Sequence, residues 1–244
     1  MLLLDAGNSR IKWARVEDDQ WLQQGTANLS EWTRIQQIFA TLPQQHKILV
    51  SNVAGIEAAQ QIRAACAGWN CPVEFISASA EYCGVRNAYD QPATLGSDRW
   101  AALIAAWHQE RAACLVISCG TATTIDALSA DGEFLGGLIL PGLDMMRHSL
   151  AIGTSQLMLV DGKLREFPRN TADAMFSGAI QATSGAIMRQ YTLLGVPGAR
   201  CLLGGGAAES VQAHIGLPLV RVDNLVLKGL QIIAQENLQN QVII

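Results

Sequence analysis

Two short runs in this chain set a polar residue beside a glycine at the end of an apolar stretch. The first is Asp5-Ala6-Gly7-Asn8-Ser9, which follows Leu2–Leu4. A hairpin turn of that composition aims several backbone N–H groups at one point, and Asn8 and Ser9 add side-chain donors. Such a point suits an anion, and Gly7 lets the backbone come close to it. Asp5 would stand beside that anion, where its natural partner is Mg²⁺ or the ion's water shell. An ordinary hairpin has the same composition, so this run alone leaves both readings open. The second run, Gly120-Thr121-Ala122-Thr123-Thr124, follows Leu115–Ser118 in the same manner. Two facing hairpins of this kind can grip a polyphosphate from both sides. A third, Gly204-Gly205-Gly206, lies between a strand pattern and a helix pattern, and its flat backbone could pass under a base or a ribose.

The elements that must position these runs can be read from periodicity. Strands are expected at Leu2–Leu4, Ile11–Val16, Trp21–Thr26 and Lys47–Val53, with Asp18-Asp19 as a turn. Helices are expected at 30–41 behind a Ser30 cap, at Ala58–Ala67 and at Asp98–Glu110. From Cys114 the opening pattern returns: strands at Leu115–Ser118, Thr123–Leu128 and Phe134–Leu140, with a turn at Asp131-Gly132. Laying residues 2–21 over 115–134 puts Gly7 on Gly120, Ala14 on Ala127, Asp18 on Asp131 and Trp21 on Phe134. That agreement predicts a duplicated pair of lobes. A long helix at Ala172–Leu194, a strand at Arg200–Leu203 and a last helix at Leu225–Glu236 complete the pattern. The expected division is 1–111 and 112–244, two close-packed lobes with a cleft between them.

Composition narrows the class. Of the 244 residues, 50% are hydrophobic and 16% charged, which is globular. A net charge of −4 without a dense Lys/Arg run argues against a nucleic-acid footprint. No run approaches the roughly 20 apolar residues of a membrane span. The opening MLLLDAGNSR lacks a basic n-region and reads as a buried strand, so a cytoplasmic protein is expected. The six cysteines form no C-x-x-C pair and read as reduced thiols. His46, His108, His148 and His214 show no metal-ligand spacing and read as surface or helix-face residues.

With two phosphate hairpins and a late glycine loop, the chain resembles the actin-like ATPase superfamily. Within it, five motifs in order resemble the type III pantothenate kinases over nearly the whole chain. They are Asp5-Ala6-Gly7-Asn8-Ser9, Gly96-Ser97-Asp98-Arg99, Gly120-Thr121-Ala122, Gly136-Gly137-Leu138-Ile139-Leu140-Pro141-Gly142 and Asn170-Thr171. The resemblance implies an α/β fold of two duplicated actin-like (ribonuclease H-like) lobes, each a mixed sheet flanked by helices. It also implies ATP-dependent phosphorylation of pantothenate, the first step toward coenzyme A, by a cytoplasmic homodimer using Mg²⁺ and a monovalent cation. Fold analogy leaves two alternatives open: a kinase for another small hydroxyl substrate, and a non-catalytic nucleotide-binding regulator. The joint presence of Asp5, Asp98 and Thr121 argues against a dead enzyme.

Carried over residue by residue, the implied ATP contacts are Asp5, Ala6, Gly7, Asn8, Ser9, Arg10, Ile11, Lys12, Gly120, Thr121 and Gly205. The implied substrate contacts are Tyr89, Gly96, Ser97, Asp98, Arg99 and Thr171, the last reaching across the dimer. Asp98 is the implied general base, placed near a helix N-terminus that stabilises its anion. A helix cap or a first-turn helix acid is the other reading of Asp98, and a helix cap is another reading of Thr171. Arg99 could hold a carboxylate or phosphate through its planar fork, or be an exposed helix arginine. One departure stands out: the family's K⁺-binding Asp is replaced by Ser118, a neutral oxygen. That puts monovalent-cation dependence in doubt. Asp126 is a possible substitute, although a structural role fits it better.

Overall fold

The computed structural model describes residues 1–153 and 158–241, with side chains described through Glu236. It divides into two compact units, Met1–Gln109 with Asn224–Ile244, and Glu110–Asp223.

In the first unit, β1 (Leu2–Ala6), β2 (Arg10–Glu17) and β3 (Gln20–Asn28) form an antiparallel meander. Helix α1 (Trp32–Ala40) leads to β4 (Ile48–Asn52), and α2 (Ile56–Ala65) leads to β5 (Val73–Phe75). Both later strands run parallel to β1, giving the order β3-β2-β1-β4-β5. Alternation along each strand then separates the two faces. Leu2, Leu4, Ala6, Ile11, Trp13, Ile48 and Val50 pack on Ile35 and Phe39 of α1 and Ile62 of α2. The cap of α1 is Glu31, without a side-chain cap bond, and not the expected Ser30; Glu31 instead accepts from the Asn28 N–H at 3.1 Å. Two short strands, β6 (Glu81–Tyr82) and β7 (Val85–Asn87), pair as a hairpin, and a 3₁₀ turn at Pro92–Thr94 introduces α3 (Ser97–Glu110).

The second unit repeats the plan. Strands β8 (Cys114–Cys119), β9 (Ala122–Leu128) and β10 (Glu133–Pro141) form the meander, followed by α4 (Leu143–Gly153) and α5 (Thr171–Leu194). Then come β11 (Arg200–Gly204), α6 (Ala208–Gln212) and β12 (Leu219–Arg221), and these strands run in the order β10-β9-β8-β11-β12. Leu115, Ile117, Ile125 and Leu203 bury against Leu143 of α4, Ile180 and Ile187 of α5, and Val211 of α6. These five strands thus match the five-stranded sheet of the first unit in order and direction, the duplicated α/β architecture that the sequence implied.

Register refines the overlay of the repeats. Gly7 donates its N–H to the Arg10 carbonyl at 3.0 Å, whereas Gly120 donates to Ala122 at 3.0 Å, so the second hairpin is one residue tighter. Past that turn, Ala14 pairs with Leu3 as Asp126 pairs with Val116. Ala14 therefore corresponds to Asp126 and not to Ala127. The acidic turn of the second unit is one residue longer, and Trp21 and Phe134 fall into step again, opposite Val16 and Leu128.

Helix α7 (Leu225–Gln241) closes the chain and packs with β1, β4 and β2 of the first unit, although its position in sequence had placed it with the C-terminal lobe. It approaches α3 so closely that a Cβ on Gly229 would enter the Ala101 backbone. Its Gln231 accepts from Trp21 Nε1 at 2.6 Å, and Lys47 Nζ donates to the Ala234 carbonyl at 3.3 Å.

Candidate active site

Lys12, Asp5 and Ser51 stand in one row across β2, β1 and β4. Their alternate neighbours Leu4, Ala6, Ile11, Trp13 and Val50 all join the core on α1 and α2, so this row leaves the opposite face. Asp5 is half-buried there. Burial pushes its pKa up to about 7, with Lys12 pulling it down and the Asp98 charge adding to the rise.

Asp98 lies in the first turn of α3, one residue inside the helix, and not at its cap. Its Oδ1 accepts from the Arg99 N–H at 2.8 Å. Burial raises its pKa as well, against the Arg99 amide and guanidinium. Gly96 makes the room: a Cβ at that position would lie 2.7 Å from Asp98 Oδ1. Two acids whose ionisation is opposed, one acting on the other, form a site short of positive charge. Such a site fits a cation. Among the described residues no group of three His, Cys, Asp or Glu could hold a metal. Mg²⁺ would therefore be held by Asp5, directly or through water, and by substrate phosphates, which is how Mg²⁺ is commonly bound in kinases.

Arg99 is buried, only 6% exposed, so it is not a surface arginine. Its Nη1 donates to the Tyr89 hydroxyl at 2.8 Å, and its guanidinium carbon lies 5.6 Å from the Tyr89 ring centroid. Tyr89 is held in turn by Asn87, whose Oδ1 accepts from the Tyr89 N–H at 3.1 Å. The Asn87 amide donates to the Ser79 and Pro92 carbonyls at 3.2 and 3.1 Å. Ser97 is buried, and its hydroxyl meets that of Ser51 at 3.0 Å. In the first hairpin Asn8, Ser9 and Arg10 are exposed and Gly7 half-buried, while the side chains of Ala6 and Ile11 belong to the core. The last two can face a ligand through backbone only.

The second unit carries the neutral counterpart. Here Thr124, Ser118 and Gly204 occupy the row across β9, β8 and β11. Ser118, Gly120 and Thr121 are exposed. The Gly142 N–H donates to the Thr121 carbonyl at 2.9 Å, and a Cβ on Gly142 would strike the Gly120 carbonyl. On the other side, Gly205 has φ +96° and lies against the Cys119 backbone with no space for a side chain, while Ala207 donates its N–H to the Cys119 carbonyl at 3.0 Å. The glycine loop is thus pinned to the strand that ends in the hairpin. Asp126 is 2% exposed and already engaged. Thr171 is exposed and begins α5, but the cap is Asn170, which accepts from the Asp173 N–H at 2.9 Å.

Other reactive groups fall away. Burial pushes the thiols of Cys66, Cys83 and Cys114 up to about 12, and those of Cys119 and Cys201 to about 11, so they stay protonated and poorly nucleophilic. His148 and His108 meet backbone carbonyls of Asp144 and Cys83, at 2.8 and 3.2 Å. His46 and His214 are exposed.

Sequence reasoning overlooked Ser51, Asn87 and Gly142. Ser51 stood at the polar end of an apolar strand, and Asn87 two residues before Tyr89 in an Asx-turn spacing. Gly142 lay within a quoted motif but carried no assigned job.

The family model for type III pantothenate kinase matches residues 1–192. A type III pantothenate kinase of Aromatoleum aromaticum is 50% identical over 238 residues, covering 97% of this chain and 98% of the relative. One from Nitrosospira multiformis is 44% identical over 239 residues, covering 97% and 91%. Among solved structures, a Campylobacter jejuni protein described as a Baf family transcriptional activator aligns at a TM-score of 0.62 and 23% identity, over 98% of this chain and 100% of that one. The activator of 2-hydroxyisocaproyl-CoA dehydratase from Clostridium difficile, with bound ADPNP, aligns at 0.56 and 11% identity, over 100% and 97%. At those identities the structures speak to the fold alone. The two relatives at 50% and 44% identity, matched nearly end to end, carry the assignment: this chain belongs to the type III pantothenate kinase family.

Proposed function

We propose a division of labour for pantothenate phosphorylation, the reaction that opens coenzyme A biosynthesis and that membership in this family assigns to the chain. The observation that carries it is the pair Asp5 and Asp98, two carboxylates on one unit whose ionisation burial opposes, the charge of Asp98 adding to the rise at Asp5. Phosphoryl transfer asks a protein mainly for positioning and charge compensation. Asp98 takes the proton of the attacking hydroxyl, a task helped by burial, which raises its pKa from the ordinary value. Asp5 holds Mg²⁺, which offsets phosphate charge when it is bound with ATP. Gly7, Asn8, Ser9 and Arg10 of the first hairpin, and Gly120 and Thr121 of the second, offer phosphate contacts. Lys12 balances Asp5 within its row. Gly205 presents bare backbone to the adenosine. Arg99, buried and braced by Tyr89, is aligned to receive the pantothenate carboxylate, with Gly96 leaving Asp98 clear.

A homodimer is part of this reading. On the second unit, Leu135, Ile139, Met145, Leu150, Ile152 and Phe167 are exposed, at 52, 66, 46, 43, 85 and 87%. Exposed apolar side chains in that number favour a protein partner, and a second copy would bring its exposed Thr171 to the substrate. The proposed location is the cytoplasm, without a nucleic-acid or membrane partner; the chain carries a net charge of −4, and no described helix is long and apolar enough to cross a membrane. A monovalent cation is expected to bind weakly, because Ser118 sits in an uncharged row.

The test is ADP release from the purified protein with ATP and Mg²⁺, against pantothenate, glucose or no acceptor. Turnover dependent on pantothenate is expected. Turnover with glucose and none with pantothenate sinks the reading.

A further inference from the structure

The hydroxyls of Ser51 and Ser97 meet at 3.0 Å inside the first unit, where Ser51 is 0% and Ser97 8% exposed. Ser51 ends the apolar run Ile48-Leu49-Val50 of β4, in direct register with Asp5 on β1. Ser97 is the first residue of α3, next to Asp98. A buried hydroxyl is tolerated only when it is paired, and two small apolar residues would fill the same space without that demand. The polar pair therefore sits at one particular joint, where the strand beside Asp5 meets the turn that carries Asp98. We propose that Ser51 is a positioning residue for the phosphoryl-transfer reaction, setting the Asp98 carboxylate through its hydrogen bond to Ser97.

Three features of the joint make this more than a core hydrogen bond. On its other side the carboxylate of Asp98 occupies the space that Gly96 leaves, where a Cβ would lie 2.7 Å from Oδ1. Its Oδ1 is tied to the Arg99 N–H, so a rotation of the first turn of α3 carries the carboxylate with it. The Trp100 N–H bonds to the Gly96 carbonyl at 3.0 Å, which closes that turn onto the residue before Ser97. The Ser51 contact references the turn to the sheet row that holds Asp5. A misplacement on the scale of one ångström is enough to lower turnover strongly in a reaction that depends on alignment.

The proposal rests on Asp98 being the base, so Asp98→Asn is measured in parallel. Steady-state kinetics with pantothenate and ATP are compared for Ser51→Ala, Ser97→Ala, the double variant, and Ser51→Ala in the Asp98→Asn background. The expected result is a kcat lowered about tenfold in each serine single, with the ATP KM within about twofold of the parent. The double should lose no more than either single, because one bond is removed in both. In the Asp98→Asn background Ser51→Ala should cost nothing further. A folded Ser51→Ala protein with parental kcat, alongside an impaired Asp98→Asn, overturns the positioning role and leaves the base intact. A further multiplicative loss in the Asp98→Asn background also overturns it, since the serine would then act elsewhere. Parental kcat in Asp98→Asn overturns the base reading instead, and this proposal with it. If Ser51→Ala does not fold, Ser97→Ala removes the same bond from the helix side and the same outcomes apply.

Discussion

Asp98 acts on Asp5: its charge adds to the burial that lifts the Asp5 pKa to about 7. The free protein therefore holds two carboxylates whose ionisation burial opposes, and the charge of one adds to the cost of ionising the other.

If Asp98 receives the hydroxyl proton, Asp98→Asn keeps shape and removes basicity. A kcat reduced by roughly 10²-fold or more is expected, with ATP binding and the fold largely retained. Stopped-flow or coupled-assay kinetics beside a thermal melt measure both. Near-parental kcat in a well-folded variant would reduce Asp98 to a first-turn helix acid.

Asp5 yields a pH prediction for the nucleotide-free, magnesium-free protein. Its folded pKa is raised above the unfolded value, from 3.8 to about 7. The folded state thus favours the protonated form, and the stability this group lends is fully present below about pH 4 and lost as pH rises through 7. Asp5→Asn should therefore melt higher than the parent at pH 8, by on the order of a few kcal/mol at most, and the gap should close toward pH 4. The same variant should lose most kinase activity. Equal melting temperatures across that range would contradict the burial argument.

The glycine loop is tested by Gly205→Ala. Position 205 has φ +96° and faces the Cys119 backbone, so the new methyl meets both strain and a clash. A destabilisation of about 1–3 kcal/mol is expected, together with a raised ATP KM. Gly206→Ala is the control, because a Cβ there meets nothing within 4 Å. If both variants behave alike, the close approach is not what matters.

The cation prediction concerns Ser118, exposed in a row with Thr124 and Gly204. A neutral hydroxyl should hold K⁺ more weakly than a carboxylate would. Titrating KCl against choline chloride at fixed ionic strength separates binding from screening. A shallow response is expected in the parent and a sharper one in Ser118→Asp. Full dependence on low millimolar K⁺ in the parent would show that the serine is an adequate ligand.

Much of this was legible in the residues. Long strands, such as those read at Ile11–Val16 and Thr123–Leu128, were found within a residue or two, as were α3 and α5. The glycine turns could be matched across the repeat because turn chemistry is local. Short elements escaped: β5, β6, β7 and β12 have two or three residues each, too few for a period to appear. Helix α4 escaped for a different reason, since Met145, Leu150 and Ile152 are apolar yet exposed and blur its buried face. The one-residue difference between the hairpins was hidden because a compensating difference in the acidic turns restored the spacing by Phe134. The Ser51–Ser97 bond joins residues 46 apart, and no local pattern announces it.

The return of α7 to the first unit has a consequence for synthesis. The second unit is contiguous, so once Asp223 has left the ribosome every strand and helix it needs is available. The first unit begins earlier but cannot finish, because the helix bearing Leu227, Leu230 and Ile233 is translated after the whole second unit. Until then the sheet face around Leu3 and Leu49 lacks that helix, and the unit that starts first closes after the one that starts second.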